Sequence, residues 1–345
     1  MSRLMRRAVA RFIAVVACTT AIACSSSDLV GPAPSRDYGS MFDDLWSEFD
    51  LHYSYFELKN IDWNSVGTHY RPLAVAARND AAFASVLGQM VAELRDLHVA
   101  VTAGNNVYRY RSPYEVTGTT VNEAIVFSKY VSSQFTTNGG HVRGGIVAPG
   151  VGYVRIASFL GEDWAGEMDD ALAKLSGVTT VIVDVRDNSG GSKTTATKVA
   201  GRFADRERTF GYVRLRNGPR HDDFSDDITE TVKPEGSRHY SGSVLILSDR
   251  GCMSAAEDFI LAMRVLPTAT VVGDTTVGAS GGPLVRELAN GWTYQMSQWI
   301  AYTPEHNTFE GVGLAPDVFV KPSLYTSTAD AVMDRAIALA SGLTP

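Results

Sequence analysis

Ser254 stands where a hydroxyl could become a nucleophile. Residues 243–248 (Ser-Val-Leu-Ile-Leu-Ser) read as a strand, residues 249–253 turn the chain, and Ser254 to Met263 reads as a helix. A serine at a helix start lies among outward-pointing N–H groups at the positive end of the helix dipole. That setting favours a developing oxyanion and suits acyl transfer. Ser254-x-x-Glu257 is also a capping box, which accounts for the pair without catalysis. Cys252, two residues earlier, is a rival nucleophile, although free cysteines commonly just pack.

A second segment can serve the same chemistry. Val181 to Val185 is a short β-branched run of the kind buried on both sheet faces. It leads into Arg186-Asp187-Asn188-Ser189-Gly190-Gly191. Paired glycines after a strand let the backbone approach a partner closely and present bare N–H groups. A plain strand–turn–helix link would look similar. Gly191-Ser192-Lys193-Thr194 imitates a phosphate loop, but Ser192 stands where glycine must precede the lysine, so the match fails.

These segments occur in a telling order. Asp184 to Gly191 is followed by Ser254-Ala255-Ala256-Glu257, then by Val272 to Gly278, then by Gly311 to Asp317. The series resembles the tail-specific (carboxy-terminal processing) serine peptidases, with the tricorn core protease and the retinoid-binding protein of the photoreceptor matrix as relatives. Upstream, Phe42 to Trp46, Ile61-Asp62-Trp63, Tyr70-Arg71-Pro72 and Glu93 to His98 resemble the helical segment of the tricorn-like branch. The likeness covers most of residues 41–323.

The resemblance assigns roles residue by residue. It implies Ser254 as nucleophile. The bacterial processing branch takes its base from a lysine after a Gly-x-x-Thr-x-Gly motif. Here Gly273 to Gly278 is followed by Ala279, and Ser280 cannot supply that chemistry. The tricorn-like branch uses a histidine, matched by His98. A neutral imidazole can accept the serine proton and return it to the leaving amine. The carboxylate near the chain end is matched by Glu310, expected to orient His98, with Glu257 a weaker rival that more naturally braces its own loop. The family's serine before the histidine is Leu97 here. The oxyanion donors implied are the N–H of Ala255 and that of Gly190 or Gly191. The seven histidines form no zinc-type pair, and no Cys pair has zinc spacing, so neither metal nor cofactor is expected.

The elements that must carry these residues follow from periodicity. From Ser40 to Leu97 the apolar spacing is helical: Phe42, Leu45, Trp46 and Phe49 share one face, as do Phe83, Val86, Leu87, Met90 and Leu94. The aromatic concentration between Phe42 and Trp63 reads as a helix–helix core. Residues 106–150 suggest short strands and hairpins. They are too few for the peptide-binding PDZ domain of many relatives, so no complete PDZ domain is expected. Beyond Gly152, strands at 153–159, 180–185, 243–248, 269–273, 292–301 and 317–320 alternate with helices at 164–175, 194–203 and 254–265. That alternation predicts an α/β layered core. The resemblance narrows it to the crotonase- and ClpP-like β-β-α arrangement, preceded by a small helical N-terminal domain. The expected organisation is a 1–23 signal, a 24–40 tether, a 41–105 helical domain, a 106–150 β-rich connector and a 151–345 peptidase core.

The start of the chain differs in kind. Arg3, Arg6, Arg7 and Arg11 precede an apolar stretch, Phe12 to Ala23, too short to span a bilayer. Ala21-Ile22-Ala23-Cys24 followed by serines resembles a bacterial lipoprotein box, with Cys24 as the lipidated residue. Val15 to Cys18 is a rival box, and a signal without lipid is the other reading. The expected location is the cell envelope, on the outer membrane facing the periplasm.

Composition sets outer bounds. The 345 residues are 45% hydrophobic and 20% charged, enough for a large core. Formal charge is −7; without residues 1–23 it becomes −11, from 27 basic and 38 acidic residues. Such a balance disfavours nucleic acid as a partner. Of three cysteines only Cys252 lies beyond the signal and lipid box, so no intrachain disulfide is available. The expected activity is hydrolysis of peptides or unfolded protein segments, with a catalytically silent ligand- or peptide-binding protein on the same fold as the alternative.

Overall fold

A computed structural model describes residues 37–112, 121–323 and 328–342. The expected signal, Cys24 and the tether up to residue 36 lie outside the described residues. Residues 38–40, expected in the tether, instead form the first turn of helix α1 (Tyr38–His52). The Asp37 side chain accepts the Ser40 N–H at 2.8 Å, and that cap starts the helix.

Three more helices follow: α2 (Phe56–Lys59), α3 (Trp63–Val75, capped by Asp62) and α4 (Asp80–Ala92, capped by Asn79). Their apolar faces meet in an aromatic cluster around Phe42, Leu45, Phe49, Trp63, Phe83 and Leu87. The Trp46 and Trp63 rings are parallel, and each indole N–H donates to the other residue's carbonyl, at 3.1 and 3.0 Å.

Chain continuity then departs from the expected domain order. Strand β1 (Ala100–Ala103) pairs with β2 (Asn106–Arg109) but also with a strand nearly two hundred residues later. After α5 (Glu123–Ile125) and a π-helical turn (Val126–Tyr130), β3 (Ser132–Thr136) and β4 (Val142–Ala148) run antiparallel into β5 (Val151–Ile156). Helix α6 (Gly166–Lys174), β6 (Thr180–Asp184), α7 (Lys193–Gly201), β7 (Arg208–Leu215), β8 (Ile228–Val232) and β9 (Ser243–Ser248) come next. Helix α8 (Ala255–Arg264), β10 (Ala269–Gly273), β11 (Pro283–Glu287), β12 (Thr293–Ser297), β13 (Trp299–Tyr302), β14 (Val318–Phe319) and α9 (Ala331–Ala340) complete the described chain.

The central sheet has seven strands in the order β14-β10-β9-β6-β5-β4-β3, parallel from β14 to β5 and antiparallel beyond. Burial on both faces explains its apolar strands. In β6, Val181 and Val183 face the cluster with α6, α7 and α8, while Ile182 faces the cluster with α9 and the π-helical turn. This is the expected α/β core.

Two smaller sheets flank it: β11-β12-β1-β2 and β13-β7-β8. The single strand expected over 292–301 is two strands in different sheets. Leu288, Tyr294, Met296 and Ile300 enter the helical aromatic cluster. The segment 41–105 therefore shares its core with residues 288–300, and residues 37–342 lie in one compact unit. Part of the 106–150 connector, β3 and β4, likewise belongs to the central sheet.

Candidate active site

Strand β9 ends at the fully buried Ser248 and delivers Ser254 to the N-cap of α8. The Ser254 backbone has φ 56° and ψ −127°, a conformation that a side-chain-bearing residue rarely adopts. Such strain persists only where the surroundings over-determine it. Here the Ser254 N–H donates to the Ala279 carbonyl (3.0 Å) and to Glu257 Oε2 (3.1 Å), and the Met253 N–H donates to the Asn188 carbonyl (3.1 Å). Across the turn, Asp249 Oδ1 accepts the N–H groups of Asp187 (2.8 Å) and Gly251 (2.9 Å).

Glu257 is a brace. Its carboxylate, fully buried, also accepts the N–H groups of Gly278 and Ala279, each at 2.9 Å, and the Thr276 hydroxyl. Burial pushes its pKa up to about 7, against the lowering effect of those donors. It thereby clamps the 276–279 loop to the Ser254 turn.

The glycine turn lies against the serine. A Cβ on Gly190 would come within 2.8 Å of Ser254 Cβ and 2.9 Å of the Ala255 nitrogen, and φ is +92°. The two glycines differ in their amides. Gly190 N–H donates to Asn188 Oδ1 at 2.8 Å, so that donor is already occupied. At Gly191 the neighbouring bonds, Phe159 N–H to the Gly190 carbonyl and Ser192 N–H to the Phe159 carbonyl, turn its own N–H away from that strand. Among the described residues no hydrogen bond occupies the Gly191 N–H or, outside its own helix, the Ala255 N–H. Ala255 has no intrahelical acceptor because it is the first residue of α8.

The Cys252 thiol is buried, donates to the Val185 carbonyl at 3.0 Å, and is pushed well above the usual thiol range by burial. A thiol held neutral in this way is a poor nucleophile.

His98 is delivered differently. It lies between α4 and β1, and residues of β12 hold its segment. Asp96 accepts the His98 N–H (2.8 Å) and the Ser297 hydroxyl (2.8 Å), while Gln295 Nε2 donates to the His98 carbonyl (2.9 Å). Burial lowers the imidazole pKa, opposed by Asp96 and aided by Lys59. Its Nδ1 is buried without a hydrogen-bond partner among the described residues.

The expected Glu310–His98 hydrogen bond is not formed. Glu310 accepts from Lys59 Nζ (2.8 Å), from the Ser280 N–H (2.8 Å) and from the Ser280 hydroxyl (3.1 Å). Burial, then Asp96, pushes its pKa up to about 7. Ser280 Oγ lies 2.9 Å from the Tyr55 hydroxyl, and Lys59 Nζ also reaches the Arg95 carbonyl at 2.8 Å. Sequence reasoning missed Lys59, Tyr55 and Asn188. Asp96 was visible two residues before His98, but its bond to Ser297 was not. Among the described residues no group of His, Cys, Asp and Glu could hold a metal ion, and no helix is long and apolar enough to cross a membrane.

Two family models match the chain: Peptidase family S41 over residues 150–320, and the Tricorn protease C1 domain over residues 34–92. The first covers the segment that carries Ser254 and the second most of the helical layer, with residues 93–149 between them. The chain belongs to the tail-specific peptidases of family S41. Among curated S41-type relatives, a "Probable CtpA-like serine protease" of Staphylococcus haemolyticus is 30% identical over 180 residues, 51% of this chain and 34% of that protein. The chain thus spans about a third of the length of the curated relatives it matches. A candidate peptidase of Parabacteroides merdae has a solved structure with TM-score 0.78 and 28% identity, covering 90% of this chain and 97% of that one. Mature CPAF, at TM-score 0.65 and 12% identity over 82% of this chain and 92% of that one, shares the fold. The S41 fold is therefore present through both the helical layer and the core.

Proposed function

We propose that this S41 family member is a serine peptidase that cleaves peptides or unfolded segments through an acyl-enzyme on Ser254. The observation that carries the reading is the strained Ser254 backbone at the start of α8, pressed against Gly190. Ser254 Oγ attacks the scissile carbonyl and its proton passes to His98. The oxyanion forms beside the Ala255 and Gly191 N–H groups. His98 then protonates the leaving amine, and water repeats the sequence to release the acyl group. A depressed imidazole pKa keeps the base neutral at neutral pH.

Glu310 supports this reading as a positioning group, not as the imidazole's partner. It ties Lys59 on α2 to the 278–280 loop that also receives the Ser254 N–H. In the same proposal Cys24 carries a lipid anchor in a bacterial envelope, so that a Cys24→Ala protein would leave the membrane fraction.

A fluorophosphonate probe tests the activity. Labelling of wild type at Ser254, with none in Ser254→Ala, is the expected result. A folded wild-type protein that resists the probe and cleaves no unfolded substrate would instead be a silent binding protein.

A further inference from the structure

A cavity of about 270 Å³ opens beside the Ser254 loop, floored by Val277 and Gly278 and walled by Leu97, Val312, Lys59 and Glu310. It is joined to the nucleophile through the backbone: Val277 N–H donates to the Cys252 carbonyl at 3.0 Å, and Gly278 N–H to Glu257. Its size suits one side chain or chain end.

The charges of this cavity are unequal. Lys59 and Glu310 pair with each other at 2.8 Å and offset one another. Arg95, exposed on the same wall, donates Nη2 to the Lys59 carbonyl at 2.8 Å and meets no carboxylate among the described residues. Arg95 also has φ +48°, a left-handed conformation that favours glycine. In an acidic protein, a guanidinium is thus held at a conformational cost on the wall of a cavity whose Val277 and Gly278 bond to the Ser254 turn.

We propose that Arg95 is a specificity-determining residue that receives a carboxylate of the peptide substrate in this cavity. The inference rests on the serine-peptidase reading for its substrate class, but its test does not need turnover. Guanidinium and carboxylate form paired, charge-assisted hydrogen bonds.

The experiment measures binding of a short, unstructured, fluorescent peptide to the whole chain carrying Ser254→Ala. One glutamate is moved along the peptide and compared with glutamine at each place, and the free C-terminus is compared with the amide. At one place, or at the C-terminus, loss of the carboxylate should weaken binding about tenfold, which corresponds to ~1.4 kcal/mol. Adding Arg95→Gly should abolish that difference while leaving the protein folded, because glycine relieves the backbone strain. Arg95→Lys should retain part of it. The glutamate and amide arms separate a side chain from a chain end as the source. Equal binding of every pair, including binding of none, would overturn the proposal, as would a carboxylate preference that survives Arg95→Gly. Fluorophosphonate labelling of wild type is read separately, so a failed peptidase reading and a failed cavity reading are told apart.

Discussion

The two halves of the candidate site differ in how completely their buried polar groups are satisfied. Around Ser254, backbone groups do the placing: Glu257 takes up the N–H groups of residues 254, 278 and 279, and Asn188 and Asp249 tie the turns together. Around His98 the hydrogen bonding is incomplete. The Ser254 turn is thus fixed by satisfied hydrogen bonds, while the His98 imidazole keeps a buried nitrogen without a partner among the described residues; burial raises a carboxyl to about 7 in both halves, Glu257 in one and Glu310 in the other. A nucleophile needs position above all; a base needs a pKa near its working pH.

The contrast can be broken most forcefully at Glu257. Glu257→Ala leaves several buried donors unpaired and should cost about 3–5 kcal/mol, by analogy with removing one member of a buried charged network. Chemical denaturation reads the loss, and Ser254 labelling should fall with it. A change within ordinary surface variation would show that the brace is not what holds the turn.

Gly190→Ala probes the same half more locally. The new Cβ meets the Met253 carbonyl at 2.8 Å and Ser254 Cβ at 2.8 Å, so the turn must shift. Overpacking of this kind costs about 1–3 kcal/mol. Labelling at Ser254 should drop about a hundredfold, the scale of losing one oxyanion donor. Near-normal labelling in this variant would separate the glycine turn from the chemistry.

The other half is sharpened by pH. Glu310 ionises in the unfolded chain near about 4.3 but in the folded protein only at about 7. Between those values the unfolded state holds fewer protons, so this group's contribution to stability falls as pH rises through that window. His98 acts in the opposite sense. Its folded pKa is lowered, so its contribution is lost as pH drops below its ordinary value of about 6.5. Subtracting the stability curve of Glu310→Gln from that of wild type isolates the carboxyl. The difference should decline from pH 4.5 to 7 and then level. A flat difference would mean that Lys59 holds the carboxylate ionised throughout.

Legibility in the sequence followed the same divide. Strands 243–248 and 269–273 were readable to the residue, because burial on both faces writes an apolar run that polar turn residues or glycine end. The helical faces of Phe42 to Phe49 and Phe83 to Leu94 were readable from spacing. The pairing of β1 with β12, on which the placement of His98 depends, left no local mark, since register between distant strands is a tertiary outcome. Strands β7 and β8 and helix α9 also escaped notice. So did the buried Asp184–Arg186–Asp330 cluster, in which a local ion pair (2.7 Å) is completed by a carboxylate far along the chain (2.9 Å). Glu310 was placed near the site by resemblance, but its true partner, Lys59 on a four-residue helix, carries no motif.

On the proposed mechanism the two separately built halves cooperate, with His98 taking the proton of Ser254. The most direct measurement is the rate of Ser254 labelling by a fluorophosphonate across pH 5–8 in wild type and His98→Ala. Wild type should rise with pH to a plateau, with its midpoint below the ordinary histidine value of about 6.5 because burial lowers the imidazole pKa. His98→Ala should label about a thousandfold more slowly and lose that titration. Wild-type rates and an unchanged pH profile in His98→Ala would show that His98 does not take the Ser254 proton.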